Sequence, residues 1–139
     1  MKKEWMLFLV MAMTVVAQVS AWADEDPKPQ SIRIEASDFQ FKTTPATLEV
    51  MRPTTLTLVN TGKYTHEFQG NLFHGSEARV EVDGVVVIGD EVQELILNPG
   101  KTVKVTFVPR TKGDFEFVCE AKDPESHLKK GMKGTIKVQ

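Results

Sequence analysis

Residues 102–119 read Thr-Val-Lys-Val-Thr-Phe-Val-Pro-Arg-Thr-Lys-Gly-Asp-Phe-Glu-Phe-Val-Cys. Val103, Val105 and Phe107 alternate with Thr102, Lys104 and Thr106. After the Lys112-Gly113-Asp114 turn, Phe115, Phe117 and Cys119 share one parity. A strand sends successive side chains to opposite faces, so both halves read as half-buried strands. Two Phe on the face of Cys119 mark that face as the core. The thiol is expected to point inward, where a strand runs into a loop.

The same period of two recurs outward from this stretch. Ile32, Ile34 and Ala36 alternate with polar residues, as do Leu48 and Val50, Leu56 and Leu58, and Ile136 and Val138. Asn60-Thr61-Gly62, Asp83-Gly84 and Asn98-Pro99-Gly100 are turn signals between the runs. Asp83-Gly84 between Arg79–Val82 and Val85–Ile88 predicts a two-residue hairpin, because Asp-Gly accepts the positive φ angles of such a turn. Many short strands at regular spacing predict an all-β sandwich or barrel. One short helical turn is expected near Pro124–Lys130. No internal repeat or low-complexity tract interrupts the pattern.

The chain has 139 residues, 17 Lys+Arg, 19 Asp+Glu, three His and one Cys. A formal charge of −2 gives no electrostatic reason to expect nucleic-acid binding. One Cys excludes an intramolecular disulfide and any multi-cysteine zinc or iron–sulfur site. Lys2 and Lys3 precede an apolar run from Trp5 to Ala17, and Ala21-Trp22-Ala23 is a small-x-small cleavage signal. This reads as a secretory signal peptide over residues 1–23. The run is shorter than the roughly 20 apolar residues a spanning helix needs, so no stable membrane insertion is expected after cleavage. Residues 24–30 read as a flexible lead-in and 31–139 as one domain, exported to the periplasm and expected to be a monomer. Exported thiols meet oxidising conditions. A lone Cys there is buried, bonded to another chain, or metal-bound.

Cys119, His127 and Met132 lie on one loop between two strands. Thiolate and thioether suit copper(I), and imidazole suits both copper oxidation states. Two His and one Cys in a plane, with a weak axial Met, make the blue-copper electron-transfer pattern. One further His is required. His66 shares parity with Phe68 and is expected to face the core, whereas His74 lies in the loop-like Gly70-Asn71-Leu72-Phe73-His74-Gly75. The reading is one mononuclear copper ion held by His66, Cys119, His127 and Met132, with His74 as the competing upstream ligand.

Three further stretches carry a resemblance: Asn60-Thr61-Gly62 followed by His66-Glu67-Phe68, the Leu97-Asn98-Pro99-Gly100 turn, and Gly131-Met132-Lys133-Gly134-Thr135-Ile136. With residues 113–119 they resemble the cupredoxins, over roughly Ile32 to Val138. The resemblance implies a Greek-key β-sandwich with copper near one end. It implies His66 as the upstream ligand, Cys119 and His127 completing the trigonal plane, and Met132 as axial. It also implies that the ring edge of His127 passes electrons. Seven residues separate Cys119 from His127, where most of that family has two to four. The Pro-Gly that often precedes this His is replaced by Glu125-Ser126. A longer loop can shift the His, open the copper to water or change the Cu–S geometry. The Gly70–Glu91 segment looks longer than a minimal fold needs, as a lid, a docking surface or a neutral insertion.

The expected function is an electron carrier with a redox partner protein. The alternative is copper handling or tolerance with a copper-delivery partner, and a metal-free module with a relic site is a third reading. Neither a paired acid–base constellation nor an open substrate position is visible, so no enzyme is expected.

Overall fold

The computed structural model of the protein describes residues 26–139. The signal segment 1–23 and the first two residues of the lead-in lie outside the described residues. The alternating runs form β1 (Gln30–Ser37), β2 (Gln40–Thr44), β3 (Thr47–Leu48), β4 (Thr54–Asn60) and β5 (His66–Gly70). They continue as β6 (Ala78–Val82), β7 (Val85–Gly89), β8 (Glu94–Leu97), β9 (Thr102–Phe107), β10 (Gly113–Val118) and β11 (Lys133–Val138). One sheet runs β2-β1-β4-β9-β6-β7 and the other β3-β11-β10-β5-β8. Pairs β1–β4 and β3–β11 are parallel; the other paired strands are antiparallel. This is the expected all-β sandwich.

The inward parity builds its core. Ile32 and Ile34, Leu56 and Leu58, and Val103, Val105 and Phe107 come from the first sheet; Phe68, Leu97, Phe117 and Ile136 come from the second. Each such side chain contributes about 1.5–3 kcal/mol on burial. Phe117 stacks on Phe68 with centroids 4.8 Å apart and meets Phe41 edge-on at 5.1 Å. Gln30, the last residue of the lead-in, is already the first residue of β1. The Gln30 amide bonds the Glu49 carbonyl at 2.7 Å and Thr54 Oγ1 at 2.9 Å, and β1 starts there.

Asp83 and Gly84 have φ of 48° and 79°, and the hairpin pairs Val82 with Val85 as expected. The Gly70–Glu91 segment is built into the body of the fold. Leu72 and Phe73 are buried, Phe73 meets Phe107 edge-on at 4.9 Å, and β6 pairs with β9. The short helical turn expected near Pro124–Lys130 is present as one hydrogen-bonded turn that starts at Ser126. Lys130 N–H reaches the Ser126 carbonyl at 3.3 Å, and Gly131 N–H reaches the Leu128 carbonyl at 2.9 Å. Ser126 Oγ accepts the Lys129 N–H at 3.3 Å, so the turn starts at the residue able to cap it. It ends at Gly131, where φ is 90°.

Asn60 does more than signal a turn. Its amide nitrogen donates to the Tyr64 and Leu97 carbonyls, both at 2.8 Å, and its oxygen accepts the Gly62 N–H at 2.9 Å. The side chain is buried, so its removal leaves several backbone groups without partners. Asn60→Ala is expected to lower stability by about 1–3 kcal/mol, read as a shifted urea midpoint at unchanged slope.

Candidate metal centre

His66 opens β5 with the parity of Phe68, and both are fully buried. Cys119 follows the last residue of β10, and its N–H bonds the Met132 carbonyl at 3.1 Å, extending the β10–β11 ladder by one step. That step places Met132 beside Cys119, in a small buried cluster with Ala36. His127 enters from the loop. Its N–H donates to the Ala121 carbonyl at 3.0 Å, and its own carbonyl accepts the Met132 N–H at 3.1 Å. The extra residues of the Cys–His spacing are therefore an excursion closed at its neck. They do not carry the imidazole away from the thiol. Of the three consequences open to the long loop, exposure of the His is not seen: His127 is wholly buried.

The donor atoms of His66, Cys119 and His127 all lie within 4.8 Å of one another. The two Nδ1 atoms are 3.1 Å apart, and His127 Nδ1 is 3.3 Å from Cys119 Sγ. His127 Nε2 lies 2.9 Å from the Asp123 carbonyl, which only accepts. In the neutral ring Nε2 must then carry the proton, and Nδ1 is a bare lone pair. That single lone pair faces both the His66 Nδ1 and the thiol sulfur, and it accepts from only one of them at a time. His66 Nε2 has no partner at all. Hydrogen bonding alone completes this cluster poorly. A cation between the two Nδ1 atoms and Sγ removes the competition for one lone pair, because each of the three groups then offers one lone pair to one centre, and it leaves His66 Nε2 as it is. Two imidazoles and a thiolate, with a thioether at hand, are the donors that copper takes.

The surroundings set the charge of each donor. Burial above all holds His66 below its ordinary value, His127 adds to this, and Asp38 opposes it. Burial pushes the Cys119 thiol up, against the backbone N–H groups of Glu67 and Ala121. The Glu67 N–H lies 3.3 Å from Sγ and is the donor placed to tune a sulfur–metal bond. Near neutral pH the cluster thus holds a neutral imidazole at His66 and a protonated thiol. Binding a metal as thiolate releases the thiol proton, so affinity rises with pH and falls as acid returns that proton. Metal affinity at constant ionic strength is expected to rise about tenfold per pH unit near neutrality, by chelator competition. A flat profile would show a thiol already ionised.

His74 is exposed and lies outside the cluster. The His127 ring, whose edge the resemblance gives as the electron gateway, is buried. The Asp123 carbonyl accepts from the ring nitrogen that lies opposite the one facing Cys119. Neither this contact nor the Glu67 N–H had a signal in the sequence, because backbone groups carry no residue identity.

Residues 29–139 match the family of copper binding proteins described as the plastocyanin/azurin family. The chain belongs to that family. It is a cupredoxin with one candidate copper site among the described residues, formed by His66, Cys119 and His127. No curated protein matches the sequence. Among solved structures, this cupredoxin resembles a multi-copper oxidase from Pediococcus acidilactici at 19% identity and a TM-score of 0.56, over 99% of this chain and 31% of that one. It resembles a copper nitrite reductase from Nitrosomonas europaea at 15% identity and a TM-score of 0.52, over 67% and 32%. It also resembles a dithionite-reduced auracyanin from Roseiflexus castenholzii at 16% identity and a TM-score of 0.50, over 81% and 98%. These likenesses show the fold alone. The cupredoxin spans 30–45% of the length of the first oxidases and reductases it matches. Among the described residues, no helix is long and apolar enough to cross a membrane.

Proposed function

We propose that this cupredoxin is a one-electron carrier, exported to the periplasm, with a single type 1 copper ion that His66, Cys119 and His127 would hold, and Met132 as a weaker fourth donor. The observation that carries this reading is the convergence of three wholly buried donors within 4.8 Å. Bound copper supplies a one-electron couple between its +1 and +2 states. The chain's part is to keep the donors in place. Cys119 is tied to Met132 by the extended ladder, and His127 is tied to Ala121, Met132 and Asp123. A site held this way reorganises little, which suits electron transfer.

Burial also supports a carrier over a catalyst, because none of the three donor residues faces solvent where a substrate could add. It favours a carrier over copper delivery for the same reason: a delivered ion must leave, and the donor set is closed. The redox partner is a protein of the same compartment. Copper(II) added to residues 24–139 is expected to produce an intense thiolate-to-copper band and a type 1 EPR signal at one equivalent. Repeated reduction and reoxidation should retain the metal. Absence of the band overturns the copper assignment, and copper loss on each reduction favours the handling reading.

A further inference from the structure

Phe39 meets the His127 ring edge-on, with centroids 5.0 Å apart and an interplanar angle of 86°. Tyr64 lies 6.3 Å from the same ring and 6.0 Å from Phe39. Both aromatic residues are half-buried, while His127 is fully buried behind them. Phe39 sits in the turn between β1 and β2 with φ of 63°. A bulky side chain rarely adopts that left-handed conformation; Gly or Asn is the usual choice. Strained backbone persists where the surroundings over-determine it, and here they do. Asp38 Oδ1 accepts the Lys63 N–H at 3.0 Å, locking this turn to the one ahead of His66. Gly62 permits the approach, since a Cβ there would lie 2.5 Å from Asp38 Oδ1. From the solvent side, Lys130 Nζ lies 5.9 Å over the Phe39 ring and Lys63 Nζ lies 5.2 Å over Tyr64.

Closing the hairpin does not require an aromatic ring at its left-handed position. The ring is explained by what it covers. We propose that Phe39 is the cover of the metal centre: its ring, backed by Tyr64, keeps small solutes off His127 and so closes the donor set from that side. The functional importance of the cover rests on His127 being a copper ligand, but the covering is tested without copper.

Phe39→Gly is the informative variant, because glycine adopts φ of 63° freely and the hairpin keeps its turn while the ring is lost. Diethylpyrocarbonate modification of the metal-free protein is followed by peptide mass spectrometry. His127 lies alone on the tryptic peptide Asp123–Lys129; His66 and His74 share Tyr64–Arg79 and are told apart by its fragment ions, exposed His74 as the internal standard for full access and buried His66 as the control for general opening. In the wild type, His127 is expected to react far more slowly than His74. In Phe39→Gly its rate should rise by at least about tenfold while His66 stays protected. Phe39→Tyr, which keeps a ring, should behave as the wild type. In the copper-loaded form, azide should perturb the visible spectrum of Phe39→Gly and leave that of the wild type unchanged.

Three results overturn the proposal. One is wild-type His127 reacting as fast as His74. Another is an unchanged His127 rate in Phe39→Gly. The third is His66 and His127 accelerating together, which marks general opening. Failure to bind copper removes the carrier reading but leaves the labelling result to decide the cover.

Discussion

Cys119→Ala is expected to abolish the copper(II) thiolate band and to weaken copper(I) retention by more than about a hundredfold, the upper range for loss of a ligand's own hydrogen-bonding partner. The thiol is the one soft anionic donor of the cluster and lies 3.3 Å from His127 Nδ1. Without it, two imidazoles and a thioether remain, and none of these is a thiolate. In the metal-free variant the Glu67 N–H loses the sulfur at 3.3 Å, so stability should also fall by about 1–3 kcal/mol. Spectra and chelator competition separate the two effects. Met132→Leu should keep an intense band with altered EPR parameters, as expected of a weak axial donor. His74→Ala should change nothing, because His74 is exposed and outside the cluster. A band that survives in Cys119→Ala, or is lost in His74→Ala, overturns the ligand assignment.

Phe117→Ala is expected to be the most destabilising single change in the core, at about 3–5 kcal/mol out of the roughly 5–15 kcal/mol that holds a domain folded. Its ring is buried, stacked on Phe68 and flanked edge-on by Phe41. It also fills the space beside Gly134, where an added Cβ would lie 2.3 Å from the Phe117 Cζ. Gly134→Ala alone should therefore cost about 1–3 kcal/mol, because the ring has no free side to move into. The pair makes the packing argument specific. In the Phe117→Ala background the ring is gone, so Gly134→Ala should cost nothing or recover part of the loss. Urea unfolding of the four proteins in the cycle gives a coupling of about 1 kcal/mol or more. Strictly additive costs would mean that the two residues do not share this space. Copper binding should weaken in Phe117→Ala as well, since Cys119 is held two residues farther along the same face.

Much of the fold was legible because a strand writes itself locally. The alternation at Val103, Val105 and Phe107, and at Ile32 and Ile34, needs no information beyond the run itself. Asp83-Gly84 carries its turn in its own φ preferences. The inward parity of Cys119 and His66 was local in the same sense, and both side chains are buried as expected. The loop length was legible too, but its consequence was not. Seven residues between Cys119 and His127 suggested an open site. A hydrogen bond from His127 N–H to the Ala121 carbonyl closes the excursion instead. Leu72 and Phe73 were likewise hidden within a segment read as a lid, a docking surface or an insertion, since the Phe73 ring packs on Phe107 of distant β9.

The sequence by itself determined the strands, several turns and which residues are candidate donors, because residue type and spacing act over a few positions. Tertiary structure alone decided how those donors meet and what surrounds them. His66 and His127 stand 61 positions apart, and their Nδ1 atoms approach to 3.1 Å only once the strand order is in place. The Glu67 N–H at the sulfur, the Asp123 carbonyl at His127 and the Phe39 ring over it all depend on which backbone groups and side chains folding brings into reach. The lone cysteine therefore revealed the chemistry, and long-range packing decided that the site is closed.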